Sequence, residues 1–264
     1  MPPVAESPLR RSLGYVNWLF NPFQRLDARR VYDLVATTSP TEHGLYLNLG
    51  YWGGGARDVD EASAALAMRL AEEGGMGPED VVLDCGYGFG DQDLLWAREV
   101  APRRIIGLNI TPSQVAVARD RVAEAGLAGR VDLREGSATD MPLPAGSVDL
   151  VVALECAFHF RTRERFFREA FRVLRPGGRL VTADILPLAD AASLGERLRQ
   201  RVSWGLVASK FAIPRENACS TATYQALLRL AGFADVHIRS IRDQVYGPLH
   251  RYLALHPERV RRLN

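Results

Sequence analysis

Cysteine is scarce in this chain of 264 residues, and long apolar runs are missing. The three cysteines, Cys85, Cys156 and Cys219, are odd in number, far apart and without metal-ligand spacing, which predicts reduced thiols and no metal site. No stretch approaches the ~20 apolar residues that span a bilayer, so stable membrane insertion is not expected. The amino terminus has Arg10 and Arg11 but no apolar core or small-residue cleavage site, which points to a cytoplasmic rather than a secreted protein. Charge of one sign is lacking too: 33 Lys and Arg against 31 Asp and Glu leave a net charge of +2 and no bulk attraction for nucleic acid. Internal repeats and low-complexity tracts are absent. What is present is a chain 47% hydrophobic and 24% charged, long enough to bury a core without cross-links. A monomer or homodimer is expected.

The first ten residues, with Pro2, Pro3 and Pro8, read as a loose tail. Residues 13–23 carry Tyr15, Trp18, Leu19, Phe20 and Phe23, suited to packing over the main domain or to touching an apolar substrate or membrane surface. Helical signals cover 26–36, an irregular stretch covers 46–55, and a helix over 59–74 places Ala62, Ala65, Leu66 and Leu70 at helical spacing. Strands over 81–84, 104–108, 131–135, 149–154 and 179–184 then alternate with helices over 91–100, 111–125 and 163–174. Residues 185–220 break this rhythm with helical patches, 194–204 especially. A helix over 222–231, a strand over 236–240 and a helix over 249–255 close the chain. The expected fold is α/β, a doubly wound, mostly parallel seven-stranded sheet with helices on both faces. Four parts follow: an N-terminal helical lid over 1–58, a cofactor-binding core over 59–184, a helical cap inserted over 185–221, and a completion of the sheet over 222–264.

The chemistry starts at residues 81–90, Val-Val-Leu-Asp-Cys-Gly-Tyr-Gly-Phe-Gly. An apolar strand ends in Asp84, and Gly86, Gly88 and Gly90 open a turn into a helix. Glycine there permits positive φ and removes the Cβ that would block a ligand. The spacing is not the G-x-G-x-x-G that seats a pyrophosphate on a helix N-terminus. A carboxylate two residues before the first glycine would repel a pyrophosphate and suits a ligand with an ammonium group. At the next strand end, Asn109 lies where a nucleoside ribose needs a polar side chain, one βα unit on. After the fourth strand, Glu155 and His159 emerge four residues apart. A histidine of ordinary pKa can take a proton from a hydroxyl or amine at neutral pH. It can equally cap the helix starting near Thr162 and bond Glu155, and both roles stand open.

The D-x-G-x-G-x-G pattern resembles the first motif of class I, Rossmann-like S-adenosylmethionine-dependent methyltransferases. The Leu174-Arg175-Pro176-Gly177-Gly178 turn resembles their post-helix turn and falls at the matching distance. The run Asn109-Ile110-Thr111-Pro112-Ser113-Gln114 is similar to the subgroup of cyclopropane-fatty-acid synthases and natural-product and sterol methyltransferases. That resemblance implies S-adenosyl-L-methionine as cofactor, with S-adenosyl-L-homocysteine as product. It implies Asp84, Gly86, Gly88, Gly90 and Ile110 at the donor, Asn109 and Gln114 at the ribose, and Leu154 near the ammonium group. At the adenine, Ser137 stands where the family usually has Asp, leaving Ser137, Ala138 and Thr139 for that role and Asp140 out of register. Residues 46–52 resemble an aromatic segment that closes over the donor, which implies Asn48 and Tyr51 at its tail and Trp52 as a wall. His159 and Glu155 would face the transferred methyl group, Glu155 shaping the pocket more than acting as a base.

The implied activity is methyl transfer to a hydrophobic small molecule, O-methylation favoured, N- or C-methylation open, in secondary or lipid metabolism. The apolar lid candidates Trp18, Phe20, Leu194, Trp204, Leu206 and Phe211 support a hydrophobic acceptor. Two other readings stand beside it. An NAD-type oxidoreductase is disfavoured by the glycine spacing and by Asn109. A non-catalytic binding protein could keep the fold without turnover.

Overall fold

A computed structural model of the chain describes residues 41–186 and 213–258, together with 193–196, 198, 199, 204 and 208. The N-terminal helix and aromatic segment expected before residue 41, and Leu206 and Phe211, lie outside the described residues.

Helix α1 (Val59–Glu73) begins where the Asp58 carboxylate accepts from the Glu61 N–H, and Glu61 reaches back to the Arg57 N–H. Five strands follow in alternation with helices: β1 (Val81–Cys85), α2 (Asp91–Glu99), β2 (Arg104–Asn109), α3 (Pro112–Glu124), β3 (Val131–Glu135), β4 (Val148–Leu154), α4 (Arg163–Val173) and β5 (Leu174–Ala183). Helices α5 (Thr221–Ala231) and α6 (Arg242–Leu255) complete the described part. Pro112 opens α3 at its first turn, Thr162 and Ser220 cap α4 and α5, and Gly232 at φ +115° ends α5.

Every strand pair is parallel, in the order β3-β2-β1-β4-β5. Period-two alternation divides the core between two faces. Val82, Ile105, Leu150 and Val152 pack against α1, α2 and α3 through Leu66, Leu70, Leu94, Trp96 and Val122. Leu83, Ile106, Val151 and Ala153 pack against α4 and α5 through Phe166, Phe167, Ala170, Tyr224 and Leu228. No described helix is long and apolar enough to cross a membrane.

The sheet corrects the expected strand count: among the described residues it has five strands, not seven. Residues 236–240 form no strand. They are largely exposed, and α6 begins at Arg242, well before the expected 249. Strand β5 also begins earlier than expected. The Arg-Pro-Gly-Gly turn is drawn into it through a register shift between Val148 and Leu150, with Gly177 at φ +79°.

The order 3-2-1-4-5 reverses direction between β1 and β4. Open α/β sheets hold ligands in the crevice outside the carboxyl ends of strands at such a switch point.

Candidate active site

A cavity of about 1180 Å³ occupies that crevice. It is walled by the turns after β1, β2, β3 and β4, by residues 45–48, and by the returning chain at 213–216. The volume lies above the ~300–1,000 Å³ usual for one small ligand, so it can take two.

Gly86 and Gly88 line it at φ +83° and +58°. Their glycine requirements differ. A Cβ on Gly86 would stand 2.7 Å from the Cys156 Cβ, so the β1 and β4 turns are in contact there. A Cβ on Gly88 would meet only Leu47 Cδ1, at 3.3 Å, on the open side of the turn. Gly90 does not reach the cavity. It sits at φ +81° at the start of α2, where a Cβ would press on Leu133 and Ala118.

Asp84 also lies away from the cavity. Alternation along β1 turns it to the α2 face, where it is fully buried and accepts from Gln92 Nε2 at 3.0 Å. Burial pushes its carboxyl up to about 7, and the Gln92 and Asp93 contacts only partly offset that. Gln92 itself does line the cavity.

After β2, Asn109, Ile110 and Gln114 all line the cavity. Asn109 Nδ2 donates to Gly88 O at 3.2 Å and to Gln114 Oε1 at 2.8 Å, while its Oδ1 accepts from the Thr111 N–H at 3.4 Å. This leaves Gln114 Nε2 buried with no hydrogen-bond partner among the described residues. After β3, Ser137, Ala138 and Thr139 line the cavity and Asp140 does not. Ser137 Oγ accepts from the Thr139 N–H at 3.2 Å and lies 3.0 Å from its hydroxyl, which holds the turn closed.

After β4, Leu154, Glu155 and His159 line the cavity. Glu155 adopts φ +48° and accepts from the Leu49 N–H at 2.8 Å. Burial, with the Asp184 charge adding, pushes its carboxyl up to about 7 against that bond. The His159 ring packs on Phe158 at 4.1 Å between centroids, and the His159 backbone N–H donates to Cys156 O at 2.9 Å. Thr162, not His159, caps α4.

Residues 41–49 cross the front of this crevice as a strap held by carboxylates. Asp60 accepts from the N–H groups of Glu42, His43 and Gly44, at 2.5, 3.2 and 2.7 Å. Asp91, in a two-pronged ion pair with Arg121, accepts from the Leu45 N–H at 3.0 Å. Asn48 lines the cavity, its amide spanning Ser63 O and the Gly50 N–H. Tyr51 and Trp52 do not line it. Tyr51 lies under the Arg69 guanidinium at 4.6 Å, and Trp52 packs on Tyr252 at 5.2 Å. The strap has turned back onto α1 and α6 by then, with Tyr51 N–H on Ala62 O and Trp52 N–H on Gln244 O.

Sequence reasoning missed Leu45, Leu47, Gln92 and Glu135, and Arg161, Arg165 and residues 213–216, all of which line the cavity. Gln92 follows the glycine turn directly and was within reach of the motif. Residues 213–216 arrive from a distant part of the chain. A buried network seats them: Arg163 pairs with Asp184 at 2.8 and 2.9 Å, while Asn217 Nδ2 donates to Phe158 O and Phe160 O at 2.9 and 2.8 Å. The apolar residues Phe160, Trp204, Ala208, Ile213 and Pro214 line this side.

Comparison with known proteins agrees with the fold. A family model described as a methyltransferase domain matches residues 83–182. The chain is 42% identical over 225 residues to erythromycin 3''-O-methyltransferase of Saccharopolyspora erythraea, covering 84% of this chain and 72% of that one. It is 35% identical over 204 residues to 27-O-demethylrifamycin SV methyltransferase of Amycolatopsis mediterranei, covering 76% and 71%. Among solved structures, the [4+2]-cyclase SpnF superposes with a TM-score of 0.65 at 25% identity, covering 93% of this chain and 82% of that chain.

Proposed function

Since this chain belongs to the class I S-adenosylmethionine-dependent methyltransferases of natural-product type, we propose that it methylates a hydroxyl of a bulky, hydrophobic natural product. The observation that carries this reading is the lining of the cavity. Asn109, Gln114, Ser137 and Thr139 line it on the turns after β2 and β3, Phe160, Trp204 and Ile213 supply apolar wall, and Glu155 and His159 line it after β4. Two relatives that are O-methyltransferases of such metabolites support oxygen over nitrogen or carbon as the accepting atom.

The residues fit the cofactor. Gln114 Nε2 is a buried donor suited to a ribose hydroxyl, and Asn109 holds that amide in place. The missing Cβ at Gly88 leaves room for a ligand between the turn and Leu47. Ser137, Ala138 and Thr139 would take the adenine edge, Ile110 its face, and Asn48 and the Leu154 backbone the amino-acid tail. When bound, S-adenosylmethionine supplies an electrophilic methyl group on a sulfonium.

The chain's own part is to position and to move one proton. A neutral hydroxyl is a poor nucleophile, and the His159 imidazole can take its proton as the oxygen attacks. Phe160, Trp204 and Ile213 hold the apolar body of the acceptor and keep water out, so alignment supplies much of the rate. Glu155, tied to the Leu49 N–H, joins the strap to this site.

Incubation with S-adenosylmethionine and a panel of hydrophobic hydroxyl, amine and alkene compounds tests the reading. The expected result is release of S-adenosylhomocysteine with a hydroxyl product heavier by one methylene. Products from amines or alkenes alone would overturn the choice of oxygen. The likeness to a [4+2]-cyclase gives the panel a further arm: donor binding with an isomerised substrate and no released S-adenosylhomocysteine would overturn transfer itself.

A further inference from the structure

Three arginines, Arg161, Arg165 and Arg215, line the acceptor side of the cavity. All three are solvent-exposed, so they stand at its mouth. Elsewhere twelve of the other nineteen described arginines make ion pairs with carboxylates. None of the three at the mouth makes one among the described residues. Acids stand next to them in the chain but are used differently. Glu164, beside Arg165, pairs with Arg168, while Glu216 lines the mouth without an ion pair to Arg215. Between Arg161 and Arg165, Arg163 is neutralised by Asp184 in the interior.

The placement also costs the fold something. Arg161 and Arg165 flank the start of α4, where the helix dipole is already positive and a cation is unfavourable. Three cations without ion pairs lining one cavity beside apolar residues are useful where a ligand brings the missing charge. Guanidinium groups present a fork of donors that suits an oxyanion.

We infer that the acceptor carries an anionic group, such as a carboxylate, which the mouth arginines hold while its apolar body enters between Phe160, Trp204 and Ile213. This rests on the proposed function and narrows its substrate class from hydrophobic to hydrophobic and acidic. An acceptor with a cationic amine at that end would be repelled.

A matched pair of fluorescent probes tests this without knowledge of the natural acceptor: 8-anilinonaphthalene-1-sulfonate, and N-phenyl-1-naphthylamine, which lacks the sulfonate. The wild type should bind the sulfonate more tightly than its neutral partner. Arg161→Ala/Arg165→Ala/Arg215→Ala together should weaken sulfonate binding roughly tenfold or more, the scale of a lost charge-assisted contact, and leave the neutral probe unchanged. Arg229→Ala/Arg242→Ala/Arg251→Ala, at three exposed arginines on α5 and α6, controls for net charge, and thermal melting controls for folding. Equal affinity for the two probes, binding of neither, or sulfonate binding unmoved by the triple variant would each overturn the inference. Binding of S-adenosylhomocysteine and methyl transfer, measured on the same samples, separate the two readings. A missing anion preference with transfer intact sinks only the inference. An anion preference without transfer sinks only the proposed activity.

Discussion

His159 and Glu155 leave the same strand end and face different work. His159 carries the proton in the proposed reaction, and its backbone is pinned by Cys156 O independently of its ring. Replacing His159 with Gln should lower kcat by about 10²–10⁴, the usual worth of a positioned base, and leave the Kd for S-adenosylhomocysteine within about twofold. Single-turnover rates and calorimetry on the same variant check both halves. An unchanged kcat would return His159 to a wall residue. The glycines make a parallel point about individual residues. Gly86 is demanded by Cys156 across the turn, so its replacement probes folding, whereas Gly88 faces a flexible leucine and its replacement probes the ligand space.

At the scale of elements, the strap over 41–49 is the piece that closes the donor side in the proposed reading. Three of its N–H groups converge on one carboxylate, Asp60 in the first turn of α1, and further ones reach Asp91 on α2 and Glu155 after β4. Hydrogen bonds to a charged acceptor contribute about 1.5–3 kcal/mol each, so Asp60 is the largest single tie. Asp60→Ala should raise the donor Kd about tenfold or more while kcat at saturating donor changes less than about twofold. Titration calorimetry and saturation kinetics read the two effects. Donor affinity unchanged in Asp60→Ala would mean that the strap does not close over the ligand. The opposite wall depends on a different device. Asn217 and Arg163 bond the returning chain to the β4 turn and to the end of β5, so the acceptor side is seated from the interior.

Across the whole molecule, three carboxyl groups are raised chiefly by desolvation, and this sets the response to pH. Burial pushes Asp84 and Glu155 up to about 7 and Asp93 well above its ordinary value. The folded state therefore binds these protons more tightly than the unfolded chain. The contribution of Asp84 and Glu155 to stability is full below their ordinary pKa and is lost as pH rises through about 7, and Asp93 acts in the same sense. Asp149 and Glu169, paired with Arg175 and Arg172, are lowered and act in the opposite sense, losing stability only as pH falls below the ordinary carboxylate range. The two windows do not overlap, so Tm should fall between about pH 5 and pH 8. Glu155→Gln should fall less steeply than the wild type over that range. A Tm that is flat or rising there, with the variant running parallel, would refute this account.

The sequence by itself determined the alternation of strands and helices over 81–183, the parallel sheet, the glycine turn, the polar Asn109 at the end of the second strand and the pair after the fourth strand. Each rests on short-range physics: a period of two or 3.6, a proline at a first turn, a positive φ that only glycine takes easily. Tertiary structure decided the rest. Alternation along β1 turned Asp84 toward Gln92 and away from the cavity, and Tyr51 left it for Arg69 on α1. Residues 236–240 have strand-like composition but no partner edge among the described residues, and they stay exposed. The strap and the acceptor wall are joined to the core by bonds spanning 106 residues from Leu49 to Glu155 and 54 from Arg163 to Asn217. No local pattern records such pairings, because they form only when the folded sheet brings distant backbone donors against side-chain oxygens.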